Sequence, residues 1–278
     1  MAVQAGDNDD RTPMSKASPA LLVTTIAIAL SLVGAHAWAQ AVPTPVSSEN
    51  DTTDRVAAAR QQHEVAIWQK YHAAAVGYPG EVFLRWLKRE AILELWARDP
   101  GRRFRLVATY PILASSGTPG PKRREGDRQV PEGFYEINRF NPKSSFHLSL
   151  GLNYPNASDL VLSDHDQPGS DIFIHGSNVS IGCAPLGDNA IEEVYLAALD
   201  AQQHAQARIQ VHVFPSRMNG PEWEQFAANE IAHRPELAAF WAQLRPGFEF
   251  FERHRTLPGI TVEKDGRYLV ENVVPSAY

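Results

Sequence analysis

Apolar residues first gather in one unbroken run, Ala20 to Ala35 (ALLVTTIAIALSLVGA), with Lys16 before it and Ala37-Trp38-Ala39 after it. A basic start, an apolar stretch and a small-x-small site predict a secretory signal over residues 1–39, cleaved after Ala39, and hence a periplasmic mature chain. As a helix the run reaches about 24 Å at ~1.5 Å per residue, short of the ~30 Å hydrocarbon core, which favours cleavage over a permanent anchor. Asp7, Asp9 and Asp10 make the stretch before Met14 acidic for such a signal, so Met14 is a second candidate start. No Cys stands at the cleavage region and no Arg pair precedes the run, which points away from lipoprotein processing and a twin-arginine route.

Beyond the signal, residues 40–79 read as a Pro/Ser linker followed by an Ala-rich helix, in which Val56, Ala59, Val65, Trp68 and Ala73 make a partial apolar face. From Val82 the rhythm shifts toward period two: LELWA and FRLVATY alternate on either side of Asp99-Pro100-Gly101, which predicts a hairpin rather than a helix. Residues 115–134 are dense in Gly, Pro and charge and read as a solvated loop ahead of the strand-like FYEI. The segment FHLSLGLNYPNASD ends in turn residues, and SDIFIHG reads as a short buried strand with His175 at its end. Ile191, Val194, Tyr195, Ala198 and Leu199 recur at helical spacing behind an expected Asn189/Glu192 capping box. The strand IQVHVF, a helix over PELAAFWAQL and a hairpin around Asp265-Gly266 complete the chain. Trp223, Trp241, Phe248, Phe250 and Phe251 are expected to pack this tail, residues 216–278, onto the domain spanning 80–215.

Charge and cysteine content narrow the chemistry. The 26 Lys+Arg are outnumbered by 32 Asp+Glu among 278 residues, with no basic block, which argues against nucleic acid as partner. The single cysteine, Cys183, can form no internal disulfide and no Cys-rich metal site. In an exported protein an unpaired thiol is unusual. The segment Ile174 to Cys183 (IHGSNVSIGC) offers a thiol, a histidine able to take its proton and Gly182, whose backbone can approach a carbonyl. The N–H groups of Gly182 and Cys183 could share one oxyanion hole. Composition alone leaves open the alternative of a buried thiol with an unrelated histidine. Zinc held by His165, Asp171, His175 and Cys183 is another alternative, weakened by the absence of a fixed-face spacing such as H-E-x-x-H. A non-catalytic module whose cleft binds its ligand without turnover is a third.

The string H-G-S-N-V-S-I-G-C, preceded by G-P-K-R-R-E-G-D-R-Q-V-P-E-G-F-Y, resembles the L,D-transpeptidase (YkuD-type) catalytic domain over roughly Val82 to Phe214. The likeness is strongest to the periplasmic branch of murein L,D-transpeptidase-like proteins that includes the enzyme detaching the outer-membrane lipoprotein from peptidoglycan. It implies a mainly β fold with flanking helices (α+β), a β-sandwich whose cysteine faces a cleft, with helical N- and C-terminal extensions. It also implies Cys183 as nucleophile, His175 as proton donor and acceptor, and Ser180 and Gly182 as shapers of the oxyanion loop. Gly176, Lys122 and Tyr154 become cleft candidates, with His147 a weaker one. Gly120-Pro121-Lys122, Gly126-Asp127 and Pro131-Glu132-Gly133 are expected beside the cleft. Lys122, Arg123 and Arg124 would meet stem carboxylates or form a solvated face. The implied substrate is a peptidoglycan stem, attacked at the carbonyl of the diaminopimelate L-centre to give a thioester; wall-linked lipoprotein is a further candidate partner, and no cofactor is implied. The commonest family pattern has Ser-His-Gly-Cys and a longer insert. Here Ile181 stands at that histidine and only Ser177, Asn178 and Val179 form the insert, which leaves the acceptor, an amine or water, open.

Overall fold

The computed structural model describes residues 50–271, with side chains from Arg55 onward, so the expected signal at 1–39 and nearly all of the expected linker lie outside the described residues. In chain order the elements are α1 (Asn50–Ala73), β1 (Glu81–Leu87), β2 (Ile92–Arg98), β3 (Arg105–Pro111), β4 (Gly133–Asn141), β5 (Ser149–Leu152), α2 (Ala157–Leu162), β6 (Phe173–His175), β7 (Ala184–Pro185), α3 (Asp188–Gln203), β8 (Gln210–Phe214), α4 (Gly220–His233), α5 (Glu236–His254), β9 (Gly259–Val262) and β10 (Tyr268–Glu271). Eight strands form one sheet in the order β3-β2-β1-β8-β4-β5-β6-β7, and β9 and β10 pair as the expected hairpin. This is the mainly β, α+β architecture that the sequence implies.

β4 joins the two halves of the sheet. Its first residues, Gly133 to Glu136, pair with β8, and after an irregularity between Ile137 and Arg139 its last three pair with β5. The β1-β2-β3 meander is antiparallel, and β1 lies parallel to β8. β1 is buried at six consecutive positions, which is why its sequence shows no alternation: both faces are covered. One face packs on α1 and α3 through Leu84, Trp86, Ile191 and Tyr195. On the other, Phe83 and Trp96 meet Phe251, while Leu87, Phe134 and Phe214 meet Trp241 and Phe248. The C-terminal segment thus completes a core begun by β1, β4 and β8.

Two charged groups go into that second face and are paired there. Arg85 is bound by Glu94 at 2.7 Å and Glu252 at 2.6 Å, with the rings of Trp96, Phe248 and Phe251 around its guanidinium. A buried ion needs partners of this kind, because desolvation of an unpaired charge outweighs any packing gain.

Three local expectations are corrected. The buried stripe of α1 is Ala59-His63-Ile67-Tyr71, whereas Val65 and Trp68 face solvent. The stripe escapes a hydrophobicity reading because His63 belongs to it, held by Glu192 of α3 at 2.7 Å. No side chain caps α3: it begins at Asp188 behind Gly187, and the Glu192 carboxylate is turned to His147, which it bonds, and to His63, which it contacts at 2.7 Å. The capping box occurs in α2, where Asn156 and Asp159 convert the expected turn NYPNASD into a helix start.

Candidate active site

The pairing of β6 with β7 brings the histidine and the cysteine together. These strands are parallel, with Ile174 opposite Ala184 and His175 opposite Pro185. One step back, the same register sets Cys183 beside Phe173. Side chains alternate along a strand, and in-register neighbours share a face. Phe173, His175 and Cys183 therefore point to the side opposite Ile174, which is buried in the core. The row extends across the sheet, since Ser149 of β5 pairs with His175 and Asn141 of β4 pairs with Ser149. All five residues line one cavity of about 550 Å³. Its walls are the 143–146 segment, with Lys143 and Phe146, and the 179–181 segment, with Val179 and Ile181. Ile181 is 79% exposed and Val179 53%, so the wall beside the thiol is an apolar lip open to solvent.

His175 is nearly buried, and its ring lies 4.9 Å from that of Phe146. Nδ1 is 2.5 Å from the carbonyl oxygen of Gly176. A carbonyl only accepts, so Nδ1 carries the proton and Nε2 presents its lone pair. Burial pushes the imidazole below its ordinary range, and the Gly176 bond offsets only part of this. The Cys183 thiol is half-buried and donates to the carbonyl oxygen of Asp171 at 3.7 Å. Burial raises it above the ordinary thiol range; the Phe173 amide and the Lys122 charge pull it down, and the Asp171 carboxylate pushes it up. The resting pair is therefore a neutral thiol with a neutral imidazole.

The turn before the cysteine is braced from within. The Gly182 and Cys183 amides converge as the sequence suggests, but on Ser180 Oγ, at 3.1 and 2.9 Å, while that hydroxyl donates to the Cys183 carbonyl at 2.7 Å. Gly182 has φ +129°, and a Cβ there would lie 3.1 Å from the Gln129 carbonyl oxygen. Only glycine combines this conformation with so close a neighbour.

Several sequence candidates sit elsewhere. Gly176 does not line the cavity; its Cα is wedged against the Phe146 carbonyl, His147 and Asp188, and its own carbonyl orients His175. The Lys122 ammonium is buried against Asp127 at 2.7 Å rather than presented to the cleft. Tyr154 is buried, with its hydroxyl donating to the Pro168 carbonyl at 2.7 Å. His147 bonds Glu192 at 2.6 Å and faces α3. Arg123 reaches Asp159 and stacks on Phe240, so this stretch of the 115–134 loop is built into the molecule rather than solvated. The motif residue Glu132 is fully buried and accepts from Lys88, the Gly120 amide and Trp241. Of the zinc candidates, Asp171, His175 and Cys183 line the cavity while His165 lies on the surface beside Asp166. Among the described residues, no three His, Cys, Asp or Glu side chains gather into a metal cage. Sequence reasoning missed Lys143, the cavity's ammonium group, and Asn141, because an Asn-Pro-Lys turn carries no distinguishing pattern; only the Asn141-Ser149-His175 row brings them to the site.

Sheet and cleft define a protein with one cysteine and one histidine exposed to a common cavity at the β5-β6-β7 end of an α+β scaffold. The profile of the YkuD L,D-transpeptidase catalytic domain matches residues 92–210. The YafK protein of Escherichia coli strain K12, provisionally named an L,D-transpeptidase, is 34% identical over 207 residues, 73% of this chain and 78% of its own; its O157:H7 counterpart matches equally. The chain belongs to the L,D-transpeptidase (YkuD) catalytic-domain family. Among solved structures, the helical cell shape determining protein Pgp2 of Campylobacter jejuni, as its K307A mutant, aligns with TM-score 0.40 and 25% identity over 49% of this chain and 48% of that one. Bdellovibrio bacteriovorus Bd1075 aligns with TM-score 0.37 and 18% identity over 62% and 60%.

Proposed function

We propose that the protein is an exported, periplasmic, cysteine-dependent acyltransferase of the L,D-transpeptidase kind that acts on peptidoglycan peptide stems and remodels the cell wall. The observation that carries this reading is the shared face of His175 and Cys183 above one cavity, with the imidazole lone pair left unprotonated by the Gly176 bond. As the thiol proton passes to His175 Nε2, Sγ bonds the stem carbonyl carbon and the tetrahedral adduct collapses with rupture of the C–N bond. The amine leaves with the proton from His175, and a thioester remains on Cys183. An acceptor amine, or water, then attacks that carbonyl and returns the proton to sulfur. A neutral pair suits this sequence, since His175 acts as base during attack and as acid during departure. Lys143, at the cavity wall, is placed to meet a stem carboxylate.

A second reading keeps the thioester but makes water the acceptor, so that the protein is a hydrolase releasing lipoprotein from diaminopimelate. Ile181 favours it: an exposed isoleucine stands beside the nucleophile turn where the commonest family pattern has a histidine. Incubating the purified mature chain with lipoprotein-bearing peptidoglycan, and separately with free tetrapeptide muropeptides, decides between them. New cross-links or exchanged terminal residues support the transferase. Release of lipoprotein peptide without new cross-links supports the hydrolase, and no product from either substrate contradicts both.

A further inference from the structure

The 120–130 loop lies against the nucleophile turn and is itself organised by one buried ion pair. Lys122 is 5% exposed, and its ammonium donates to Asp127 Oδ1 at 2.7 Å and to the Arg124 carbonyl at 2.8 Å. Asp127 in turn accepts from the amides of Arg123, Arg124 and Gln129 at 2.9 to 3.0 Å. Through Gln129 the pair reaches the site, because the carbonyl of Gln129 abuts Gly182, the residue before Cys183. On the other side Lys122 leans on Gly169, where a Cβ would come within 2.5 Å of its Cε, two residues before Asp171, whose carbonyl accepts the thiol. One pair thus braces two segments beside Cys183, one against Gly182 and one leading to Asp171.

We propose that Lys122 and Asp127 are positioning residues that clamp the Cys183 turn, with Lys122 also placing a fixed positive charge behind the thiol. The proposal rests on Cys183 being the nucleophile, but its test does not need turnover. The charged and titratable groups around the thiol are Asp171, bonded by Arg139 at 2.8 Å, His175 and Lys143 at the cavity, and Lys122 on the side of the 120–130 loop. Lys122 favours the thiolate, and Asp127 screens Lys122. Removing each charge should therefore move the thiol in opposite directions, whereas mere loosening of the loop would move both variants alike.

The experiment measures the pH midpoint of iodoacetamide alkylation of Cys183 in the full chain, with peptidoglycan turnover assayed in parallel. Lys122→Met is expected to raise the midpoint and Asp127→Asn to lower it, and both to slow turnover roughly tenfold to a hundredfold through misplacement of the turn. Lys122→Arg, which keeps the charge, is expected to keep the wild-type midpoint; should Lys122→Met fail to fold, a raised midpoint in Lys122→Arg overturns the proposal and an unshifted one supports it. Midpoints that shift in the same direction in Lys122→Met and Asp127→Asn, or that do not shift, overturn it. A wild-type chain that alkylates with the expected variant pattern yet turns over nothing contradicts the proposed function and leaves the clamp standing.

Discussion

At Cys183 and His175 the environment works against a preformed ion pair, since burial disfavours the charged form of each. His175, depressed below its ordinary value, stays an unprotonated base as the pH falls through that value, so kcat/KM is expected to hold below about pH 6.5 and fall only on further acidification. A pH–rate profile on muropeptides checks this; an acid limb at or above that value contradicts it. Ser180 satisfies both amides of the turn, so Ser180→Ala should free them and lose the brace together. Acylation slowed about tenfold to a hundredfold in single-turnover mass spectrometry, together with a lowered thermal midpoint, is the expected result, because the turn that holds the thiol is loosened. Gly182→Ala should be worse on both counts: a φ of +129° strains any side chain, and a methyl group would sit tight against the Gln129 carbonyl at 3.1 Å. A cost of about 1–3 kcal/mol in stability, read by urea unfolding, is expected from that strain.

The elements were legible in the sequence where one force dominated. The β2-β3 hairpin, β6 with its terminal histidine, β8 and the β9-β10 hairpin all showed in alternation and turn residues. α1 did not show its true face, because its contact with α3 is as much ionic as apolar. Arg60 bonds Asp200 and Lys70 bonds Glu193, while Ile67 and Tyr71 fill the space between. Ile67→Ala should cost about 2–4 kcal/mol, as for other buried aliphatic truncations, and a loss under 1 kcal/mol would mean that α1 is dispensable to the core. α4 (Gly220–His233) was not read at all, since only Trp223 and Ala227 on it are buried and its apolar stripe is thin. The site was legible as a histidine and a cysteine eight residues apart, but their shared face depends on parallel β6-β7 pairing, which no local pattern announces. The outward roles expected of Lys122 and Tyr154 failed for the same reason: a polar residue engaged by a buried partner looks, in sequence, like one engaged by a ligand.

Across the molecule, the same burial that supports the site also sets its acid tolerance. His212 on β8 is fully buried among Phe83, Phe134 and Phe214; that burial, with the Arg85 charge, pushes it down to about 3. The unfolded chain binds this proton near pH 6.5 and the folded chain does not, so stability present above that value is lost as the pH falls toward the folded value. From this residue alone the loss at pH 5 is about 2 kcal/mol relative to neutral pH. Urea unfolding at the two pH values, in the wild type and in His212→Gln, checks it: the variant should show the smaller pH dependence, and equal slopes would contradict the assignment. In the proposed function Cys183 is the acyl carrier of the β5-β6-β7 cavity. Intact mass of the purified protein during incubation with peptidoglycan, beside muropeptide analysis of the same samples, tests this most directly. The wild type is predicted to gain the mass of a stem acyl group and to change the muropeptide profile, and Cys183→Ala, folded by circular dichroism, to do neither. A Cys183→Ala protein that alters the muropeptides at the wild-type rate would contradict it.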